Sequence, residues 1–297
     1  MRHPLVLCVY LAIAAMWGST WLLVRIGLRD LPPFLFAGLR MILAVVFLAP
    51  FALRGGGLGV LLQARGQVVL IGLFQVAVPY GLLFLAQQWV PSGLAAILFA
   101  TFPIWIALVS RFFLPGERLT ALRVTSVLVG IAGVAVLEAP SLGDLSGSGL
   151  LAVGSATVVA ASIVVAFANV LARRHILSLP PVGLTAGQSL VGGVVLLAVS
   201  FATEGGRTAT FTPEAVGVLV YLAIFGSGLT YLGLYWLLPR VPLAAVGMIP
   251  LLDTTVAVFL GAAVLGEPVG WSTAVGGAMV LLAAGLAGWR GGSGKLS

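Results

Sequence analysis

The chain reads as an all-α integral membrane protein, with ten transmembrane helices forming two inverted five-helix repeats. Three observations predict this. First, 61% of its 297 residues are hydrophobic and 8% are charged, with a mean hydropathy of +1.19. A soluble domain carries about 25% charged residues, and no soluble surface can be built from so few. Second, apolar runs of membrane length follow one another from end to end, with short polar connections between them. Third, the chain repeats itself. The run Gly93–Glu117 (GLAAILFATFPIWIALVSRFFLPGE) matches Leu243–Glu267 (LAAVGMIPLLDTTVAVFLGAAVLGE) at an offset of 150, and Leu31-Pro32-Pro33 recurs as Leu179-Pro180-Pro181 at an offset of 148. Tandem repeats of membrane helices point to transport.

Helices are required because a backbone in lipid must satisfy its own hydrogen bonds, and about 20 residues are needed to cross. The first span, roughly 5–24, is longer than the 7–15-residue core of a signal peptide, so it reads as an uncleaved helix. It carries Cys8, the one cysteine, and then Trp17, Ser19, Thr20 and Trp21. A single cysteine excludes an intramolecular disulfide and a cysteine-based metal site. The second span, 33–53, holds Arg40 about seven residues deep. The third, 67–88, holds Gln75, Pro79, Tyr80, Gln87 and Gln88; the fourth, 92–113, holds Phe99, Thr101, Phe102, Pro103 and Trp105. The fifth, 120–137, has Gly130 and Gly133 mid-helix, where small residues let helices approach.

Within the long connection Glu138–Ser148, the stretch near Ser141–Ser148 divides the repeats, 1–144 and 145–297. The sixth span, 149–171, carries Ser162 and Asn169, and the seventh, 182–202, begins with the GxxxG pair Gly183 and Gly187. The eighth, 214–237, is rich in aromatic residues, Tyr231 among them; the ninth, 242–265, contains Pro250 and Asp253; the tenth is 269–289. Prolines 79, 103 and 250 each free a carbonyl and permit a kink, as in the broken helices that border transporter sites.

The net charge of +7 does not call for nucleic acid here, because the basic residues lie between apolar runs. With the N-terminus in the cytoplasm, the inner side collects Arg2, Arg54, Arg65, Arg111, Arg118, Arg123, Arg173, Arg174, Arg240, Arg290 and Lys295. The outer side collects only Arg25, Arg29 and Arg207. Lys and Arg in short loops favour the cytoplasm, so both termini are expected there, in a multi-pass protein of the cytoplasmic membrane. Five helices per repeat is odd, which makes the second repeat inverted, with a site near the midplane.

Charges and polar groups inside the spans are the candidates for function. A charge at the membrane centre is expensive and faces a cavity or the bundle interior. Asp253 reads either as a proton-coupling or substrate-ammonium partner or as a packing carboxylate bonded to Thr254 or Thr255. Arg40 reads either as a partner for a substrate carboxylate or as a structural arginine. Trp17, Ser19, Gln75, Tyr80, Phe99, Trp105, Asn169, Tyr231 and Asp253 are the expected substrate-binding set, with Asp253 and Arg40 the candidate coupling or structural charges. Trp89 and Trp271, near span ends, read as interface anchors. No enzymatic motif or Cys/His cluster is present, so neither an enzyme nor a cofactor is expected.

Trp17-Gly18-Ser19 with Arg25, Pro33 with Arg40, and the paired Gly116-Glu117 and Gly266-Glu267 together resemble the EamA-type members of the drug/metabolite transporter superfamily. The resemblance covers nearly the whole chain, and the YddG-like amino-acid exporters are the subgroup it suggests. It implies ten helices, cytoplasmic termini and a cavity built from spans one, three, four, six, eight and nine. It also implies export of small amphipathic metabolites, amino acids foremost, by alternating access. The alternatives are an exporter of another metabolite or drug, and a channel-like facilitator. The expected partners are a small-molecule substrate and the lipid bilayer, with no nucleic acid. The oligomeric state is left open, a monomer included.

Overall fold

The computed structural model describes residues 4–54, 59, 64–90, 95, 98–99, 101–113, 121–138, 149–175, 179–265 and 270–289. Glu117 and Glu267, which close the repeated run, lie outside the described residues. The described residues form helices α1 (Pro4–Gly27), α2 (Pro33–Arg54), α3 (Arg65–Ala86), α4 (Phe102–Phe113) and α5 (Ala121–Glu138). The second half follows as α6 (Gly149–His175), α7 (Pro181–Thr203), α8 (Pro213–Leu237), α9 (Leu243–Gly247, then Ile249–Leu265) and α10 (Trp271–Trp289). Six are long and apolar enough to cross a membrane: α1, α2, α3, the Val153–Arg173 part of α6, α7 and α8. Val124–Gly133, Ala245–Ala257 and Ala274–Ala283 are shorter apolar helices.

Burial is inverted relative to a soluble protein. Phe201, Phe112 and Trp271 are 89%, 76% and 74% exposed, while Arg40, Gln75, Ser162, Asn169, Gln188, Ser227 and Asp253 are buried. That distribution suits lipid outside and hydrogen-bonding partners inside.

Equivalent helices of the two halves pack against each other and run in opposite directions. Gly38 of α2 lies against Leu197 of α7, while Gly193 lies against Met41 and Ile42. Gly130 of α5 lies against Ala283 of α10, while Gly133 lies against Met279. Two further pairings are each other's counterparts. Helix α1 runs parallel to α9, joined by Tyr10 to Ala245 and Trp21 to Asp253. Helix α6 runs parallel to α4, joined by Ser162 to Thr101 and Phe167 to Phe113.

Polar residues fasten the helix ends. Both Glu204 oxygens accept backbone N–H groups at the start of α2, from Phe34 and Leu35 at 3.0 Å each. A carboxylate there meets otherwise unpaired donors and the positive end of the helix dipole. Thr212 caps α8, accepting from Ala215 N at 3.1 Å, and donates to Asp30 at 2.6 Å. At the other end, Arg173 donates to the carbonyls of Leu238 and Val241, fixing the α8–α9 connection to α6.

The helices are less regular than the sequence pattern suggests. Both α3 and α8 contain a π turn, Gly72–Ala77 and Ile224–Leu229, at corresponding places in the two repeats. Helix α9 breaks at Met248, two residues before Pro250, where a continuous span was expected.

Candidate functional site: a central cavity between the halves

A cavity lies where α1, α3, α4, α6, α8 and α9 converge, with Arg40 reaching in from α2. Its walls are aromatic. Trp17 meets Tyr231 edge-on at 5.9 Å, Trp21 meets Phe99 edge-on at 6.0 Å, and Phe99 stacks on Phe102 at 5.9 Å. These are the geometries favoured by ring quadrupoles, and they give rigid apolar contact surface.

The two π turns build the polar side. A π turn widens the helix and leaves carbonyls without their usual donors. In α8, Gly226 offers such a carbonyl to Arg40 Nη2 at 2.7 Å, while Arg40 Nε donates to Ser227 Oγ at 2.8 Å. A Cβ at position 226 would sit 2.8 Å from that Nη2, so the arginine's seat depends on glycine there. In α3, Pro79 has no N–H for the carbonyl of Gln75, four residues back. The Tyr231 hydroxyl stands 3.2 Å from that carbonyl and 3.2 Å from the Tyr80 hydroxyl. It has one proton, and the carbonyl can only accept, so Tyr80 supplies the other.

Arg40 is 2% exposed, and its guanidinium carbon lies 5.0 Å from the Tyr80 ring centre. Among the described residues no carboxylate pairs with it, and most of its planar five-donor fork has no protein acceptor. A buried charge held this way stays costly until a counter-charge arrives. Asp253 lines the same cavity from α9, with Oδ1 accepting from Trp21 Nε1 at 3.2 Å. Its placement rests on Gly18. A Cβ there would lie 2.6 Å from both the Asp253 carbonyl oxygen and Val256 Cβ, so α1 and α9 touch backbone to backbone. Asn169 donates to Gln75 Oε1 at 3.3 Å, and its own Oδ1 is left without a partner.

The cavity is lopsided. Its lining continues toward the bundle end where α1 and α3 stop, through Val24, Leu83, Phe84 and Gln87. At the opposite end the first segment of α9 is packed shut. Leu243, Val246, Met248 and Ile249 are buried, and Tyr10 donates to the Ala245 carbonyl at 2.6 Å.

Eight of the residues singled out in the sequence line this one space: Trp17, Arg40, Gln75, Tyr80, Phe99, Asn169, Tyr231 and Asp253. Two do not. Ser19 donates to the Met16 carbonyl at 2.7 Å and meets the Tyr221 hydroxyl at 2.9 Å. Trp105 donates to Thr101 Oγ1 at 3.0 Å. Thr20, Trp21, Phe84, Gln87 and Phe102 line the cavity without having been selected. Helical spacing carried part of that signal, since Trp21 follows Trp17 by four residues and Phe84 and Gln87 continue the face of Tyr80. Trp89, 38% exposed, and Trp271 lie on the surface and outside the cavity.

A bundle of apolar helices around a polar-tipped aromatic cavity defines a membrane transporter of small molecules. The family model of the EamA-like transporters matches residues 4–138 and again 152–289, and the chain belongs to that family. It is therefore a transporter and not an enzyme. It is 35% identical over 261 residues to the uncharacterized inner membrane transporter YedA of Escherichia coli (strain K12), covering 86% of this chain and 81% of that protein. It is 26% identical over 253 residues to the uncharacterized transporter YoaV of Bacillus subtilis (strain 168), covering 84% and 85%. A protein of known crystal structure, 21% identical, superposes with a TM-score of 0.81 over 98% of each chain, which establishes the fold alone. The family is supported, and the YddG-like subgroup in particular is not.

Proposed function

We propose that the chain is a secondary carrier of the cytoplasmic membrane that exports small zwitterionic metabolites, amino acids foremost, by alternating access. One observation carries this reading. The cavity presents an unpaired guanidinium on α2 and a carboxyl group on α9, set among aromatic rings, and the two do not pair with each other. A carboxylate on Arg40 and an ammonium on Asp253 would each gain a charge-assisted hydrogen bond, while the rings take an apolar side chain. The free Asn169 Oδ1 adds an acceptor for the ammonium end. In this reading the ten helices all cross the membrane as two inverted repeats, 1–144 and 145–297, with both termini cytoplasmic. The antiparallel packing of α2 on α7 and α5 on α10, the excess of basic residues on one side, and the inner-membrane designation of the E. coli relative support it. The closed end beside Tyr10 and α9 favours a carrier over an open facilitator.

Counterflow tests the reading: proteoliposomes are loaded with each of a panel of unlabelled amino acids, and uptake of the radiolabelled form from outside is followed. A carrier gives saturable uptake that a large excess of unlabelled substrate inhibits. Flux that rises linearly with concentration would instead mark a channel, and no flux for any zwitterion would remove the substrate class.

A further inference from the structure

Three polar residues on α7 lie outside the cavity and lack the partners their burial demands. Thr185, Gln188 and Ser189 are spaced to share one helix face, and all are fully buried. Thr185 Oγ1, Gln188 Nε2 and Ser189 Oγ have no hydrogen-bond partner. Each such group loses its water on burial and gains no partner in return, so three on one face need a reason. The Gln188 carbonyl end is engaged, accepting from the Tyr235 hydroxyl. Tyr235 also lines a separate crevice at the closed end of the bundle, beside Ala172, Leu184, Trp236 and Arg240.

The repeat supplies the reason. At the 148-residue offset that relates Leu31-Pro32-Pro33 to Leu179-Pro180-Pro181, Val24 corresponds to Ala172, Phe36 to Leu184 and Arg40 to Gln188. At the offset that relates the two π turns, Leu83 corresponds to Tyr235. Val24, Arg40 and Leu83 line the open half of the cavity; Ala172 and Tyr235 line the crevice, with Gln188 directly behind it. The crevice is thus the two-fold counterpart of the mouth, in its closed form.

We propose that Thr185, Gln188 and Ser189 form a second polar station, the inner counterpart of Arg40, which takes the substrate's carboxylate and water when the bundle opens at the crevice. It offers hydroxyl and amide donors without a fixed charge, so it holds a carboxylate more weakly than a guanidinium does, as an exit step requires. This rests on the carrier reading above.

Two experiments decide it. In a Cys8→Ala background, Thr185→Cys is exposed to a membrane-impermeant maleimide in inside-out and right-side-out vesicles, with surface-exposed Pro239→Cys as the reactive control. Modification from the crevice side alone is expected; resistance from both sides, or modification from the other side only, overturns the station. The double variant Thr185→Val, Ser189→Ala removes two unpaired groups while keeping their volume. Its Tm should hold or rise while exchange falls about tenfold, the loss of one to two hydrogen bonds to the moving substrate. Undiminished exchange would mean that the polar face is inert packing. If the parent moves no zwitterion, the substrate reading fails, and the maleimide pattern still decides whether this face opens.

Discussion

Arg40 and Asp253 face one cavity from different helices, and neither neutralises the other. If the guanidinium receives a carboxylate, Arg40→Gln should cut exchange of α-amino acids roughly tenfold or more, the scale of one charge-assisted hydrogen bond. Decarboxylated amines of the same side chain should be spared. Arg40→Lys should not restore activity, because an ammonium cannot reach Ser227 and the Gly226 carbonyl while presenting a planar fork. Equal losses for acids and amines would reduce Arg40 to a brace between α2 and α8. Asp253→Asn keeps the shape and removes the charge. Exchange of zwitterions should fail while acids lacking the amine are less affected. Intact exchange combined with loss of the pH dependence of net flux would assign Asp253 to proton coupling instead. The sequence singled out these two residues because charges are rare inside apolar runs. It did not reveal Ser227 as the seat of Arg40, since the two lie 187 residues apart and a serine in a membrane helix is unremarkable. Ser19 and Trp105 carried the same chemical signal as Trp17 and Tyr80. Only helix rotation separates them, and apolar helices with lipid on one side and protein on the other fix rotation poorly from sequence.

The helices place these groups by how closely they approach and how their ends are tied. Gly18 is the point where α1 meets the backbone of α9 at Asp253. Gly18→Ala should push the helices apart, destabilise the protein by about 1–3 kcal/mol as overpacking does, and weaken substrate binding through the displaced Asp253. Thermal unfolding in detergent together with the KM for exchange would test both parts. An unchanged Tm would deny the close contact. At the open end of the bundle Glu204 ties α7 to the start of α2, on which Arg40 rides. Glu204→Ala should cost about 0.5–2 kcal/mol, the range for a lost helix cap, and Glu204→Gln should retain part of it. A Tm equal to the parent in both variants would show that the two backbone bonds are not what holds that end. Helix existence was plain from the apolar runs. The π turns were not, because a π turn needs no particular residue. Pro79 and Pro250 marked irregular places, yet only the packing reveals that the carbonyl Pro79 leaves free is the one Tyr231 takes.

At the scale of the whole molecule the repeat was legible because membrane-length runs and one nearly constant offset recur, and the direction of the second half followed from an odd helix count. The structure ties the loops into two groups at opposite ends. Asp30 bonds Thr212 and Glu204 bonds the start of α2 at one end; Arg173 bonds the α8–α9 connection at the other. Among the described residues, basic residues at the helix ends are concentrated at the second end, with Arg54, Arg65, Arg173 and Arg240 there against Arg25, Arg29 and Arg207 at the first, and positive-inside bias would assign the second end to the cytoplasm. Thr208 and Pro239 are exposed at the first and second ends respectively, one on each side of α8. In a Cys8→Ala background, Thr208→Cys should react with an impermeant maleimide from outside intact cells, and Pro239→Cys only after the inner face is opened. Labelling on the same side would sink the crossing of α8 and with it the inverted arrangement. Opposite sides in the reverse sense would keep the fold and place the open mouth toward the cytoplasm. The expected pattern places the open mouth beside Val24 and Gln87 on the outside and the closed end beside Tyr10 and Ala245 on the inside, one of the two states between which an alternating-access carrier moves.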